Sequence, residues 1–510
     1  MTRRQLLQMS ALGGTVVALA PALGPTTVAH AAAAEAAGDP VPQDLELVTV
    51  TDTSFVLTWF TANTLQTTPG DPRPIAMPSD AVVRYGTRPD QLDHVVNGAS
   101  DTAYHYVEVR DLCPGTTYYY QALSAGHAAA ARIVPDLDYT ALAGVTDLDH
   151  MTPAQIQALV AKLLDLGTFS SCSPGSLTTL IPPHGRHLFT VALSNDLHIG
   201  ETSSGLITNG FPPPYSQLPG EPPYPLVMGG SMISDARRHG ADVLVVAGDL
   251  TSAAKPQELA DARQLLDGFG PLTLDDRIHG HGYVVSRGNH DQPKTGSAYA
   301  SCTPVAGHDG FYDCLPAVFP LPQGRLTVSE HRGLRLVGLD TSTLDQPGGA
   351  INADQWDHLE HALSRHRNQP TLVFGHHPVT DDSANTTLAG PGFDLDRDDA
   401  TRLQQLYAQT PGVFFHHSGH THRNRRTTST IAPDVDFLEV AAIKEYPGGY
   451  TLLRMYEGGY LANFYKNSSP LAREWSQTSS EEYLGLYPAY TLGTLADRNR
   501  VVHRRMHGLY

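Results

Sequence analysis

The sequence predicts an α/β protein in two parts, a layered α/β domain preceded by a small all-β domain. Three observations predict it. Between about residues 44 and 126, apolar and polar residues alternate with a period of two. From His187 onward the strand signals become short and wholly apolar, as in Val243 to Ala247. Helical patterns separate several of these strands, at Pro256 to Phe269 and Ala353 to His366, and buried strands alternating with helices mark a layered core. A length of 510 residues allows two or three domains at about 150 residues each. The 41% hydrophobic and 17% charged content fits a soluble globular chain with a large core.

Taken in order, the chain opens with Thr2-Arg3-Arg4-Gln5-Leu6-Leu7, a twin-arginine start. An apolar run from Ser10 to Gly24 follows, then small residues with Ala29-His30-Ala31 as a cleavage site. Residues 1–31 therefore read as a twin-arginine signal peptide, so that the export machinery is a partner. The mature chain is expected to be secreted or associated with the cell envelope, without a stable membrane anchor; retention of the segment as an uncleaved anchor is the alternative. The four cysteines, Cys113, Cys172, Cys302 and Cys314, form no CxxC pair, which disfavours a thiolate zinc site. In an oxidising compartment Cys302 pairs with Cys314 across a short loop, leaving Cys113 with Cys172; four buried free thiols are the other reading. The formal net charge of −18 argues against a nucleic-acid scaffold.

The all-β domain spans residues 40–183. Its strands are Leu45 to Val50, Ser54 to Phe60, Ala81 to Gly86 and Tyr104 to Val109, and the run Leu112-Cys113-Pro114-Gly115-Thr116-Thr117-Tyr118-Tyr119-Tyr120 turns into another. Trp59 on an early strand together with this L-x-P-G-T-x-Y-x-Y corner resembles a fibronectin type III sandwich. Residues 152–164 break the pattern as a helix with Thr152 at the N-cap and Pro153 in the first turn. About 130–174 therefore reads as a helical insertion ahead of a last strand near 175–183.

In the α/β domain, residues 186–470, each strand runs into a polar cluster: Asp196-Leu197-His198, Gly248-Asp249, Gly288-Asn289-His290-Asp291, Gly375-His376-His377-Pro378 and Gly419-His420-Thr421-His422. The carboxyl ends of strands are where open α/β folds build sites, and glycine lets the loop turn sharply beside a ligand. Single motifs of this kind are weak, since an Asp at a turn or a solvated histidine pair has bland explanations. All of them in this order resemble the calcineurin-like metallophosphoesterase superfamily, over about residues 186–465. A looser resemblance is to exported bacterial members with a sandwich domain in front.

The resemblance implies a four-layer α/β/β/α sandwich and two divalent or trivalent metal ions, of Mn, Fe or Zn type given the nitrogen and oxygen ligands. It implies Asp196, His198 and His422 on one metal, Asn289, His376 and His420 on the other, and Asp249 bridging them. A water activated between the metals would hydrolyse a phosphomonoester or phosphodiester of a small substrate. His290 would face the phosphate, as charge stabiliser or acid, or else only orient Asn289; Asp291 is its candidate partner. Arg287 and Arg423 are candidate phosphate contacts, while His377, His416 and His417 read as packing or support. Glu445 and Tyr446 read as a turn before Pro447, with substrate contact the alternative. Two features depart from the purple acid phosphatases: Ser252 stands where their tyrosine ligand falls, and His198 is present where their first motif lacks a histidine. That places the expected centre nearer the cyclic-nucleotide and glycerophosphodiester phosphodiesterases. A non-catalytic extracellular binding or adhesion protein with a structural metal site is the competing reading; completeness of the ligand set speaks against it. The Gly- and Pro-rich stretch Ser203 to Pro225 reads as a surface loop, and residues 471–510 as a C-terminal extension without a readable pattern.

Overall fold

The computed structural model describes residues 39–67, 74–143, 145, 151–205, 211–212, 214–217 and 219–510. The twin-arginine segment and part of the Ser203 to Pro225 loop lie outside them. Among the described residues no helix is long and apolar enough to cross a membrane.

The alternating pattern of the first part builds two antiparallel sheets. One joins Pro40–Val50, Phe55–Thr67, Pro74–Ala76 and Tyr104–Val109; the other joins Val82–Gly86, His94–Asn97, Thr117–Ser124, His127–Ala128 and Ser176–Thr178. Their inward residues, among them Leu47, Leu57, Val83, Val107 and Tyr120, share one core. Trp59 is buried there with its indole N–H donated to Ser124 Oγ (2.9 Å), since a buried donor must find an acceptor. Tyr118 ties the corner by accepting the Cys113 backbone N–H at its hydroxyl oxygen (3.1 Å). Ahead of the last strand lies the hairpin-like pair Ile133–Pro135 and Phe169–Ser171, enclosing the helix Pro153–Leu163. Thr152 and Gln155 cap that helix reciprocally.

The second part has two six-stranded sheets. The first runs in the order Gly282–Ser286, Val243–Ala247, His187–Ser194, Gly449–Tyr456, Gly459–Lys466, Asn499–His503; the second runs Thr327–His331, Leu334–Gly338, Thr371–Phe374, Val413–Ser418, Asp436–Glu439, Arg425–Thr427. Alternate residues of the second sheet face opposite ways. Leu336, Leu372 and Phe374 join the core shared with the first sheet, while Val337 and Val373 pack under Trp356, Leu359, Leu403 and Tyr407. Those four come from the helices Ala353–Ser364 and Arg397–Ala408. The helices Tyr224–Arg238 and Pro256–Asp267 bury Met228, Met232, Leu259 and Leu266 against the first sheet, each apolar side chain contributing about 1.5–3 kcal/mol. The result is helix, sheet, sheet, helix.

Two sequence expectations need correction. The chain after residue 470 is no appendage, because Asn499–His503 pairs with Gly459–Asn463 as the edge strand of the first sheet. Cys302 and Cys314 are bonded, but Cys113 and Cys172 are not. Cys113 is exposed at the sandwich corner while Cys172 is buried beside Tyr446 and Tyr487, so the two thiols occupy separate environments. The sandwich also docks through its first strand: Thr49 Oγ1 donates to the Phe464 carbonyl (2.6 Å), and Asn463 and Asn499 side chains donate to the carbonyls of Val50 (2.8 Å) and Val48 (3.0 Å). Val48 and Val56 belong to the α/β core.

Candidate metal centre

The polar clusters meet because their strands are neighbours. His187–Ser194, Val243–Ala247 and Gly282–Ser286 are parallel, so the loops carrying Asp196, Asp249 and Asn289 leave the same edge of the first sheet. Thr371–Phe374 and Val413–Ser418 are parallel in the second sheet and deliver His376, His420 and His422. The first two loops are zipped by backbone bonds, with Leu197 and His198 N–H both donated to the Asp249 carbonyl (2.9 and 3.0 Å).

The local backbone is strained to achieve this. Asp196, His198, Asp249, His420 and His422 all have positive φ, from 47° to 69°, a conformation that costs a non-glycine residue about 1–3 kcal/mol. Glycines make the close approach feasible. A Cβ on Gly288 would lie 2.1 Å from Asp249 Oδ1, and one on Gly248 would lie 2.8 Å from the Gly288 backbone and from His376 Nδ1.

The side chains converge. His422 Nε2 lies 3.1 Å from Asp196 Oδ1, and His198 Nε2 lies 3.6 Å from that oxygen and 3.3 Å from Asp249 Oδ2. His376 Nε2 lies 3.1 Å from Asp249 Oδ2 and 3.0 Å from His420 Nδ1. Asp196, His198 and His422 form one group able to hold a metal, and Asp249, His376 and His420 another. Each imidazole is backed at its other nitrogen. His376 Nδ1 donates to the Ala247 carbonyl (2.9 Å), His420 Nε2 to the Phe393 carbonyl (2.8 Å) and His422 Nδ1 to Glu445 Oε1 (2.6 Å), while His198 Nδ1 lies 2.9 Å from the Glu201 carboxylate without an aligned hydrogen bond. Such bonds fix the tautomer that leaves the inward nitrogen with a lone pair for a metal. The Asn289 Oδ1 oxygen is buried without a hydrogen-bond partner, an orphan that a cation would satisfy. The donor set therefore fits two metal ions.

Charge in the pocket points the same way. Burial alone would raise Asp196, but the imidazoles of His422, His198 and His376 outweigh it and hold the carboxyl well below its usual range. Burial would depress His376 and His422, yet Asp249 holds the first up at about 9 and Asp196 the second at about 8. A cluster that pulls protons onto its imidazoles is one that exchanges them for metal cations.

The remaining candidates divide by what they touch. His290 places a ring nitrogen within 4.8 Å of ligand atoms of His198 and Asp249. Its Nδ1 donates to the Ser252 carbonyl (2.7 Å), and burial pushes it down to about 4 against the pull of Asp249. Asp291 is not its partner. That carboxylate accepts from the backbone N–H groups of Leu250, Thr251 and Gly288 (3.0–3.1 Å) and so braces the loops under Asp249. Neither arginine is available to a phosphate: Arg287 and Arg423 are each 1% exposed and are spent on Asp313 (2.8 Å) and Glu439 (2.7 Å). His377 has both nitrogens engaged, by Thr341 and the Pro347 carbonyl, His416 meets the Tyr407 hydroxyl, and His417 meets the Ser194 carbonyl. Glu445 is no mere turn residue, as its bond to His422 shows, and Lys444 neutralises it together with Glu201 (2.9 and 2.7 Å). Tyr487 reaches the same carboxylate. Glu201 and Tyr487 carried no motif that would have singled them out.

Residues 190–424 match the calcineurin-like phosphoesterase family. The second domain belongs to the calcineurin-like phosphoesterases. The chain is accordingly a metal-dependent phosphoesterase, and the layered core is that of its phosphoesterase domain. Residues 40–133 match the purple acid phosphatase N-terminal domain, which identifies the sandwich ahead of it. No curated protein is detectably similar in sequence. Among solved structures, the chain is similar to purple acid phosphatase PPD1 from yellow lupin (Lupinus luteus) seeds, at 15% identity and a TM-score of 0.36, over 84% of this chain and 73% of that one. It is also similar to a dimetal phosphatase from Danio rerio, at 13% identity and a TM-score of 0.40, over 55% and 96% of the respective chains. Both similarities are distant.

Proposed function

We propose that the chain is an exported dinuclear phosphoesterase with a preference for singly charged phosphodiesters. The observation that supports a working centre most is that the imidazoles of His376, His420 and His422 are locked from behind by hydrogen bonds, each with its inward nitrogen left for a metal. Asp196, His198 and His422 would hold one ion, Asn289, His376 and His420 the other, with Asp249 between them. When bound, the two ions supply Lewis acidity to the phosphoryl oxygens and an activated water as nucleophile.

The protein's own residues supply the rest. His290, with Nδ1 committed to Ser252, has Nε2 left to exchange a proton with the leaving oxygen. Lys294 follows His290 by four residues, and its strongest attraction is to Asp249. Its ammonium is not taken up by an ion pair among the described residues, whereas Lys444, Arg287 and Arg423 are all neutralised by carboxylates. A lone ammonium drawn toward Asp249 matches a diester's single charge better than a monoester's two. The twin-arginine start and the disulfide Cys302–Cys314 support export to an oxidising compartment.

The test is turnover of bis(p-nitrophenyl) phosphate and p-nitrophenyl phosphate by purified protein reconstituted with Mn, Fe or Zn. Faster diester turnover, lost in Asp249→Ala, is expected. A monoester preference would overturn the substrate reading, and unchanged turnover in Asp249→Ala the metal bridge.

A further inference from the structure

We propose that the N-terminal sandwich is a positioning part of the metal centre: it fixes Glu445, and through Glu445 the imidazole of His422. The inference rests on the reading of His422 as a metal ligand. Glu445 is fully buried and accepts from His422 Nδ1, from the Tyr487 hydroxyl and from Ser204. Its neighbour Tyr446 reaches the other way. The Tyr446 hydroxyl donates to Glu46 Oε1 (2.7 Å) on the first strand of the sandwich. Glu46 is itself buried, gripped by Arg132 Nε (2.7 Å) of the sandwich and by Lys466 of the phosphoesterase domain. The Lys466 ammonium stands over the Tyr446 ring at 4.2 Å.

A second route reaches the same carboxylate. Tyr487 packs with Tyr446 and with Cys172, and Val134 lies against this cluster. Val134 lies on a strand of the insertion, and Cys172 exchanges backbone hydrogen bonds with Leu47 and Arg132 of the sandwich. Tyr446, joined to Glu445 by the chain, and Tyr487, joined to it by its hydroxyl, are therefore both seated on the sandwich. An interface that served only as glue would be as stable with apolar residues in place of a buried carboxylate and its cations. A buried ionic contact fixes register instead, and register is what a ligand imidazole requires. The linkage is reciprocal, so metal bound at His422 holds the sandwich in its seat.

The test is zinc affinity by chelator competition for the full chain and for Tyr446→Phe, Tyr487→Phe and Tyr104→Phe. Tyr104 spans the same interface, donating to Glu474 (3.3 Å), without touching Glu445. Tyr446→Phe and Tyr487→Phe are expected to weaken one of two zinc sites by about tenfold or more, as lost support for a ligand histidine does, and Tyr104→Phe to change neither. Equal zinc affinity in all four proteins overturns the proposal, as does equal weakening in all three variants. A wild-type chain that takes up no zinc overturns the metal centre itself, a distinguishable failure. A measurement without any change in the link uses Cys113→Ser, which leaves Cys172 as the free thiol. Its alkylation is expected to slow when zinc is bound, and identical rates with and without zinc overturn the proposal.

Discussion

The arginines beside the motifs illustrate how little adjacency in sequence says about direction. Arg287 and Arg423 each flank a ligand-bearing loop, yet both turn into the core to neutralise Asp313 and Glu439. Lys294, less conspicuous in sequence, feels Asp249 as its strongest attraction, and on the proposed reading it meets the substrate's charge. Lys294→Ala is expected to raise KM for a diester about tenfold with a smaller change in kcat, because lost uniform binding moves KM; Lys294→Arg should recover most of it. Steady-state kinetics decide this, and an unchanged KM would remove Lys294 from the substrate's path. A second residue-level consequence concerns Asp394. Burial and the neighbouring Glu439 push its carboxyl up to about 8, against about 3.9 in an unfolded chain. A carboxyl raised in the native state favours folding most when protonated, so stability is lost as pH climbs from about 4 through 8. Asp394→Asn should therefore raise the Tm at pH 9 and leave it unchanged at pH 4, as measured by thermal unfolding. Equal shifts at both pH values would show that the charge is not what the site resists.

Elements explain why the ligand loops were legible and their supports were not. Asp196, Asp249, Asn289, His376, His420 and His422 each follow an apolar strand beside or near a glycine, a pattern that one short stretch of sequence displays. Their supports come from distant chain. Glu445 meets His422 across 23 positions and Tyr487 comes from 65 away, so no local pattern joins them. The small sheet of Lys294–Thr295, Thr303–Pro304 and Phe311–Asp313 is another such element. It is closed by Cys302–Cys314, a separation of 12, and anchored through Asp313 by Arg287. On loop-entropy grounds that bond contributes about 3 kcal/mol, and it steadies the strand that carries Lys294. The double variant Cys302→Ser/Cys314→Ser is expected to lower the Tm and to raise KM in the manner of Lys294→Ala. A lowered Tm with native KM would confine the disulfide to stability alone.

At the scale of the whole molecule, the layered core and the leading sandwich follow from strand patterning, whereas the role of the last forty residues depends on contacts no pattern announces. Asp436 stands in the second sheet, buried, and accepts from Arg500 (2.7 Å) and the Tyr460 hydroxyl (2.8 Å) of the first sheet as well as from Arg426 (2.8 Å). Arg500 therefore ties one sheet to the other. A chain ending at Arg498 would lose the edge strand Asn499–His503 and its pairing with Gly459–Asn463, and would leave Asp436 with one cation fewer. Removing one partner of a buried pair costs about 3–5 kcal/mol, and an exposed sheet edge is open to association with other chains. Such a chain is expected to aggregate or to unfold at a markedly lower temperature than the intact protein. Arg500→Met, which keeps the strand and removes only the charge, should fall between the two. A truncated chain with native Tm and native zinc content would show that the final strand is dispensable, and that the two sheets hold their register through the shared apolar core alone.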